Sequence, residues 1–197
     1  MRSQAARLAA AAAAGIAFAA GAFFIISAER QIATRGAGMR IFDARAREAS
    51  DELSDLRSAE QAYVAIGQSV ASWMPKVAHT LDATANVIAS LRHSATSVGG
   101  RSALDEAASA LAEFDAIDKR ARDFLATGQP SMAGDLIFTE GQRTATTASQ
   151  QIEAARMAEH QAFDATYLTL RGRQAATMTA SAVVAALVIL VLGLTGA

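Results

Sequence analysis

Residues 63–69 read Y-V-A-I-G-Q-S and residues 124–130 read F-L-A-T-G-Q-P. Both stretches run aromatic, aliphatic, Ala, one free position, then Gly-Gln. Glycine accepts the left-handed conformation in which many helices end, and a proline shortly after such an end cannot continue the helix. Gly128, followed by Gln129 and Pro130, therefore reads as a helix stop, and the matching Gly67-Gln68 as another. This reading decides the role of Pro75, which otherwise marks a kink in one long helix from Tyr63 to Val98. With both glycines as stops, four helices are predicted at about 29–65, 71–97, 102–126 and 132–174. Ser69 or Ser72 is expected to cap the second helix, with Pro75 in its first turn. Val98-Gly99-Gly100 is expected to close that helix, Ser102 to cap the third and Ser131 to cap the fourth.

The predicted helices have matching apolar faces. No sustained period-two alternation is present, and the chain is rich in Ala, Glu, Gln, Arg and Leu, all good helix formers. Phe42, Ala46, Ala49, Leu53, Leu56, Glu60 and Tyr63 step by four and three, which puts them on one helix face. A second seam runs from Val77 through Ile88 to Val98 and a third from Leu104 through Phe114 and Asp118 to Leu125. A fourth runs from Ile137 and Gly141 through Ile152 and Glu159 to Leu170.

Two stretches take the chain to a membrane. Leu8–Ala28 and Gln174–Ala197 are free of charged residues and long enough to cross a hydrocarbon core of roughly 30 Å as helix. Arg2 and Arg7 place the N-terminus in the cytoplasm by the positive-inside rule. A cleaved secretory signal is the rival for the first stretch, with Ala20-Gly21-Ala22 as its processing site. The apolar run continues past that site through Phe23-Phe24-Ile25-Ile26, which favours an uncut anchor. The expected organisation is a cytoplasmic 1–7, a span at 8–28, an extracytoplasmic helical domain at 29–174 and a span at 175–197. The fold class is all-α: a membrane-anchored up-down-up-down four-helix bundle with N- and C-terminal transmembrane helices. Both Gly-Gln turns then fall at its membrane-distal tip.

The residues exclude several chemistries. With 18 basic and 19 acidic side chains among 197 residues, no nucleic-acid surface is implied, and the absence of Cys removes disulfides and thiolate metal sites. His79 and His93 are too far apart on one helix to share a metal, and they and His160 read as solvated helix surface. No Ser-His-Asp arrangement or phosphate-binding glycine loop is legible, so no enzyme, cofactor or metal is expected. Asp118 is the single carboxylate read as internal. With Arg120 and Arg122 it forms either an anion- or amino-acid-binding patch or ordinary i,i+4 pairs, Asp118 to Arg122 beside Asp115 to Lys119, and the pairs are favoured. Trp73 reads as a plug beneath the distal turn rather than a ligand stacker. Ala11-xxx-Gly15-xxx-Ala19 and Ala182-xxx-Ala186 offer small-residue packing faces within the spans.

Gln61-Ala62-Tyr63-Val64-Ala65-Ile66-Gly67-Gln68 resembles the aromatic-aliphatic-small-x-Gly-acidic turn that closes the first helix in many four-helix-bundle extracytoplasmic sensor domains. Such domains belong to bacterial chemoreceptors, sensor histidine kinases and diguanylate cyclases. Gln68 stands where an acid is common, and Ile117–Leu125 leading to Gly128 has the same character. The resemblance implies a sensory input module in the bacterial inner membrane, a homodimer, and a small molecule or periplasmic protein as stimulus. Receptors of that family continue into a cytoplasmic output module, whereas these residues stop at Leu194-Thr195-Gly196-Ala197. Either the chain is a fragment or the analogy ends there. The alternative is a membrane-tethered scaffold or interaction protein using the same bundle.

Overall fold

The computed structural model describes residues 2–65 and 70–194. Every element among them is helical: α1 (Arg2–Val64), α2 (Val70–Ser94), α3 (Val98–Ala126), α4 (Pro130–Leu136), a π-helical turn (Ile137–Gly141) and α5 (Gln142–Leu194). The turn at Gly67-Gln68, and Ser69 with it, lies outside the described residues. Contacts divide the chain into two units, Gly38–Ala162 and Met1–Ala37 together with Phe163–Ala197.

In the unit Gly38–Ala162, the four- and three-residue steps become a core. Ala49, Leu56, Val77, Ile88, Leu91, Leu104, Phe114, Ile137 and Ile152 are essentially inaccessible to solvent. All five α-helices contribute to this one cluster. Much of it is Ala: Ala107, Ala121, Ala148 and Ala155 have no exposure. Their short side chains let helix backbones approach closely, and Phe114, Leu56 and Leu104 fill the remaining space. Exposed ion pairs cross the surface between helices, Arg92 to Asp105, Arg120 to Glu140 at 3.3 Å and Arg143 to Glu113 at 3.4 Å. Solvent screening leaves such exposed pairs little weight in stability.

Helix ends explain the breaks. At the end of α3 the Gly128 N–H donates to the Leu125 carbonyl at 3.1 Å and the Gln129 N–H to the Phe124 carbonyl at 2.8 Å. Gly128 has φ +73°, the left-handed value that this pair of reversed bonds requires. Pro130 then opens α4 at its first position, where a missing N–H costs nothing. This corrects the expectation that Ser131 caps the helix, because the proline ring already sets the entry and Ser131 lies inside the first turn. Ser72 likewise lies inside α2, which starts at Val70, and Pro75 falls beyond the first turn rather than within it.

The junction of α2 and α3 also differs from expectation. α2 ends at Ser94, and α3 begins at Val98 with Ser97 as its cap, the Ser97 hydroxyl accepting from the Gly100 N–H at 2.8 Å. Gly99 and Gly100 thus belong to the first turn of α3, and Ser102 is not a cap. Gly100 is needed for space rather than for φ. A Cβ there would stand 2.5 Å from Glu159 Oε1.

In the unit Met1–Ala37 with Phe163–Ala197, Arg171 bonds Glu29 at 2.8 Å, and Gln174 donates to the same carboxylate at 3.3 Å. Gly21 packs against Ser181, whose Oγ would meet an added Cβ at 3.1 Å. Ile16, Phe18, Phe23, Leu187 and Ile189 are exposed. The helical stretches Ala11–Ala62 and Pro130–Leu190 each hold a segment long and apolar enough to cross a membrane.

Candidate functional site

The polar groups sealed inside the unit Gly38–Ala162 are Glu60, Thr84, Asp118, Thr144 and Glu159. Burying a charge is costly unless it is paired and hydrogen-bonded, so each buried carboxylate needs a physical account.

Asp118 has no exposure and sits one helical turn from Arg122, whose guanidinium it pairs with. The contact is the i,i+4 geometry of a helix face, but the carboxylate lies within the core rather than on a wet surface. Arg120 does not join it. That side chain is exposed and pairs with Glu140 instead, because its position on α3 turns it toward the π-helical turn. Lys119 pairs with Asp115 at 2.5 Å. Trp73 is half-buried against the core with the Lys76 ammonium 5.0 Å from its ring centroid, a cation–π contact. An open groove of about 510 Å³, lined by Val70, Met74, Lys119, Arg122, Leu125 and Ala126, runs beside Asp123 without Trp73. The structure therefore brings Asp118 and Arg122 together and turns Arg120 to Glu140 instead.

Glu60, on α1, is the buried carboxylate that sequence reasoning passed over as a site. Asp118 is thus not the only internal acid. Glu60 has no exposure, and neither carboxylate oxygen has a hydrogen-bond partner. It is packed against the π-helical turn, where a Cβ on Gly141 would come within 3.0 Å of Oε2. Burial, reinforced by the negative charge of Asp118 and only partly offset by Arg122, raises its pKa to about 8. The site thus favours the protonated acid at neutral pH. Its place on the Phe42-to-Tyr63 seam was the available signal, since a Glu at a core-facing step demands either a partner or a proton.

Glu159, on α5, solves the same problem differently. Oε1 accepts from the Ser97 N–H and Ser97 Oγ, each at 2.7 Å, and Oε2 from Thr96 Oγ1 at 2.7 Å. The Thr96 N–H lies 3.0 Å from both oxygens. Burial alone would push its pKa up, but the bonds from Thr96 and Ser97 outweigh that and hold it below the usual value. One ionised side chain thereby closes the α2–α3 junction. No local sequence signal links Glu159 to residues 96 and 97, because the bond is made only when the helices pack.

His79 and His93 are exposed. His160 departs from the expected solvated surface, since its Nε2 lies 2.9 Å from Asp43 Oδ1 in a partly buried contact. Among the described residues no group of three His, Cys, Asp or Glu side chains is arranged to hold a metal ion.

No family model, curated protein or solved structure matches this chain.

Proposed function

We propose that the chain is the input module of a bacterial transmembrane signalling receptor. In this reading α1 and α5 cross the inner membrane, and Gly38–Ala162 is an extracytoplasmic up-down-up-down bundle that acts on a cytoplasmic output domain through α5. The observation that carries the reading is the length of α5. A single helix, Gln142–Leu194, holds Glu159, the acceptor that closes the α2–α3 junction, and the apolar run toward its C-terminal end. Partner pairs support the alternating directions. Going up α1, Asp43 meets His160 and Glu60 meets Gly141, as expected if the stretch from the π-helical turn into α5 descends beside α1. Arg45 meets Ser90 and Glu52 meets Thr84, as expected for α2 running opposite to α1. Small displacements of helix against helix, about 1–2 Å, are an established means of relaying a state between packed helices. The Ala-rich seams present low ridges to such sliding. Homodimerisation and a small molecule or periplasmic protein as stimulus belong to the same proposal by its resemblance to bacterial sensor domains.

The test is a chimera in which residues 1–197 replace the membrane and sensor portion of a histidine kinase, together with reporter fusions at residue 130. The expected result is an exported reporter, membrane-integrated protein, and kinase output that core substitutions such as Ala107→Leu shift. A cytoplasmic reporter overturns the topology. Kinase output indifferent to every bundle substitution overturns the receptor role and leaves the tethered scaffold.

A further inference from the structure

Glu60 presents a carboxyl group whose two oxygens are buried and have no hydrogen-bond partner, directly against a π-helical turn. A π-helical turn carries one residue more than the α-helix around it, and it can pass that residue along the helix. Such turns recur at functional sites for this reason. Here the turn is Ile137–Gly141, closed by the Gln142 N–H bonding back to the Ile137 carbonyl. It meets Glu60 with a glycine, so the acid touches backbone rather than side chain. The charged groups acting on Glu60 are Asp118 and Arg122, both from α3, while the π-helical turn contributes no charge at the contact.

We propose that Glu60 and the π-helical turn Ile137–Gly141 form a proton-operated switch, in which release of the Glu60 proton drives the turn out of its present register. The neutral acid is compatible with a dry site. The carboxylate is not: it needs water or N–H donors beyond the charge of Arg122, and the backbone of the turn packed against it can supply them by leaving its present register. Opening or migration of the turn supplies those donors and rotates the adjoining part of α5. Burial and the neighbouring Asp118 place the transition near neutral to mildly alkaline pH. The inference rests on the receptor reading only in naming protons as its stimulus; the switch itself is a property of one unit.

The experiment is hydrogen exchange measured by mass spectrometry on the full chain in lipid nanodiscs between pH 6 and 9, corrected for intrinsic exchange. Wild type is expected to lose protection at residues 137–145 as pH rises, with one coupled proton changing the open-to-closed ratio by about tenfold per pH unit while the site titrates. Glu60→Gln is expected to abolish that pH dependence. Asp118→Asn is expected to move the midpoint to lower pH, because it removes the repulsion that favours the neutral acid. Infrared detection of a protonated carboxyl at pH 7, lost in Glu60→Gln, is an independent readout that does not need the turn to move. No pH-dependent change at 137–145, or the same change in Glu60→Gln, overturns the switch. Infrared showing Glu60 already ionised at pH 6 overturns it as well. If Glu60→Gln does not fold, the Asp118→Asn midpoint decides: an unshifted midpoint overturns the proposal. Failure of the chimera with the exchange result intact would remove the receptor reading and leave the switch standing.

Discussion

Removing the Glu159 carboxylate should open the α2–α3 junction. In Glu159→Ala, the Thr96 and Ser97 N–H groups lose their acceptor inside a partly buried site, and the two hydroxyls lose theirs. Each orphaned backbone donor costs about 1–3 kcal/mol, while the hydroxyls can rotate to other partners, so a total of about 3–5 kcal/mol is expected. Glu159→Gln keeps one oxygen and loses the charge, and should cost about 1–2 kcal/mol. Two assays on the full chain in detergent report this: urea-induced loss of helical circular dichroism and native-state exchange of the amides at 96, 97 and 100. A double-mutant cycle with Ser97→Ala should return a coupling of about 1 kcal/mol or more. The pH dependence has a definite sign. The native pKa of Glu159 is depressed, so its contribution is present above 4.5, the ordinary value, and is lost as pH falls through the native value. Protection at 96 and 97 should therefore collapse in acid for wild type and stay level for Glu159→Gln. A cost under about 0.5 kcal/mol for Glu159→Ala, with no coupling to Ser97, would refute the claim that this carboxylate holds the junction.

Three further substitutions test neighbouring claims. Glu60→Gln should flatten the dependence of stability on pH: the native pKa of about 8 lies above the ordinary 4.5, so the stabilisation is complete below 4.5 and fades as pH rises toward 8. By pH 7 wild type should have lost about 3 kcal/mol that the variant does not lose, measured by denaturant titration at several pH values. Gly100→Ala should destabilise by about 2–3 kcal/mol and expose the amides at 96 and 97, because the added Cβ cannot coexist with Glu159 Oε1 at 2.5 Å. Gly128→Ala should cost about 1–2 kcal/mol in thermal or urea unfolding, purely through its left-handed φ, and Gly128→Asn should cost less.

The four-and-three spacing of apolar residues carried most of the fold. Phe42, Leu56, Ile88, Leu104, Phe114 and Ile152 are on the seams read from the sequence, and all are buried. The rule behind this is local: 3.6 residues per turn sets which side chains share a face, whatever the face later meets. The stop at Gly128 was legible for the same reason, since a glycine followed at a short interval by proline ends a helix through its own backbone. The helix start at Ser97 was not legible. Gly99-Gly100 is a strong local breaker, yet both residues entered a helix because Glu159 supplies acceptors for the N–H groups of Thr96 and Ser97 from a distant part of the chain.

The sequence by itself therefore determined that the protein is helical, which residues face inward, and which two stretches suit a bilayer. These are properties of a helix's own turn and composition. Only the tertiary structure decided what becomes of the inward-facing acids that have no partner on their own helix. Asp118 pairs with Arg122 one turn along its own helix, which the sequence shows, whereas Glu60 is left without a hydrogen-bond partner and Glu159 is encircled by donors from another part of the chain. Their fates differ because desolvation and Coulomb interaction depend on which groups neighbouring helices bring within a few ångströms, and helical periodicity carries no information about that.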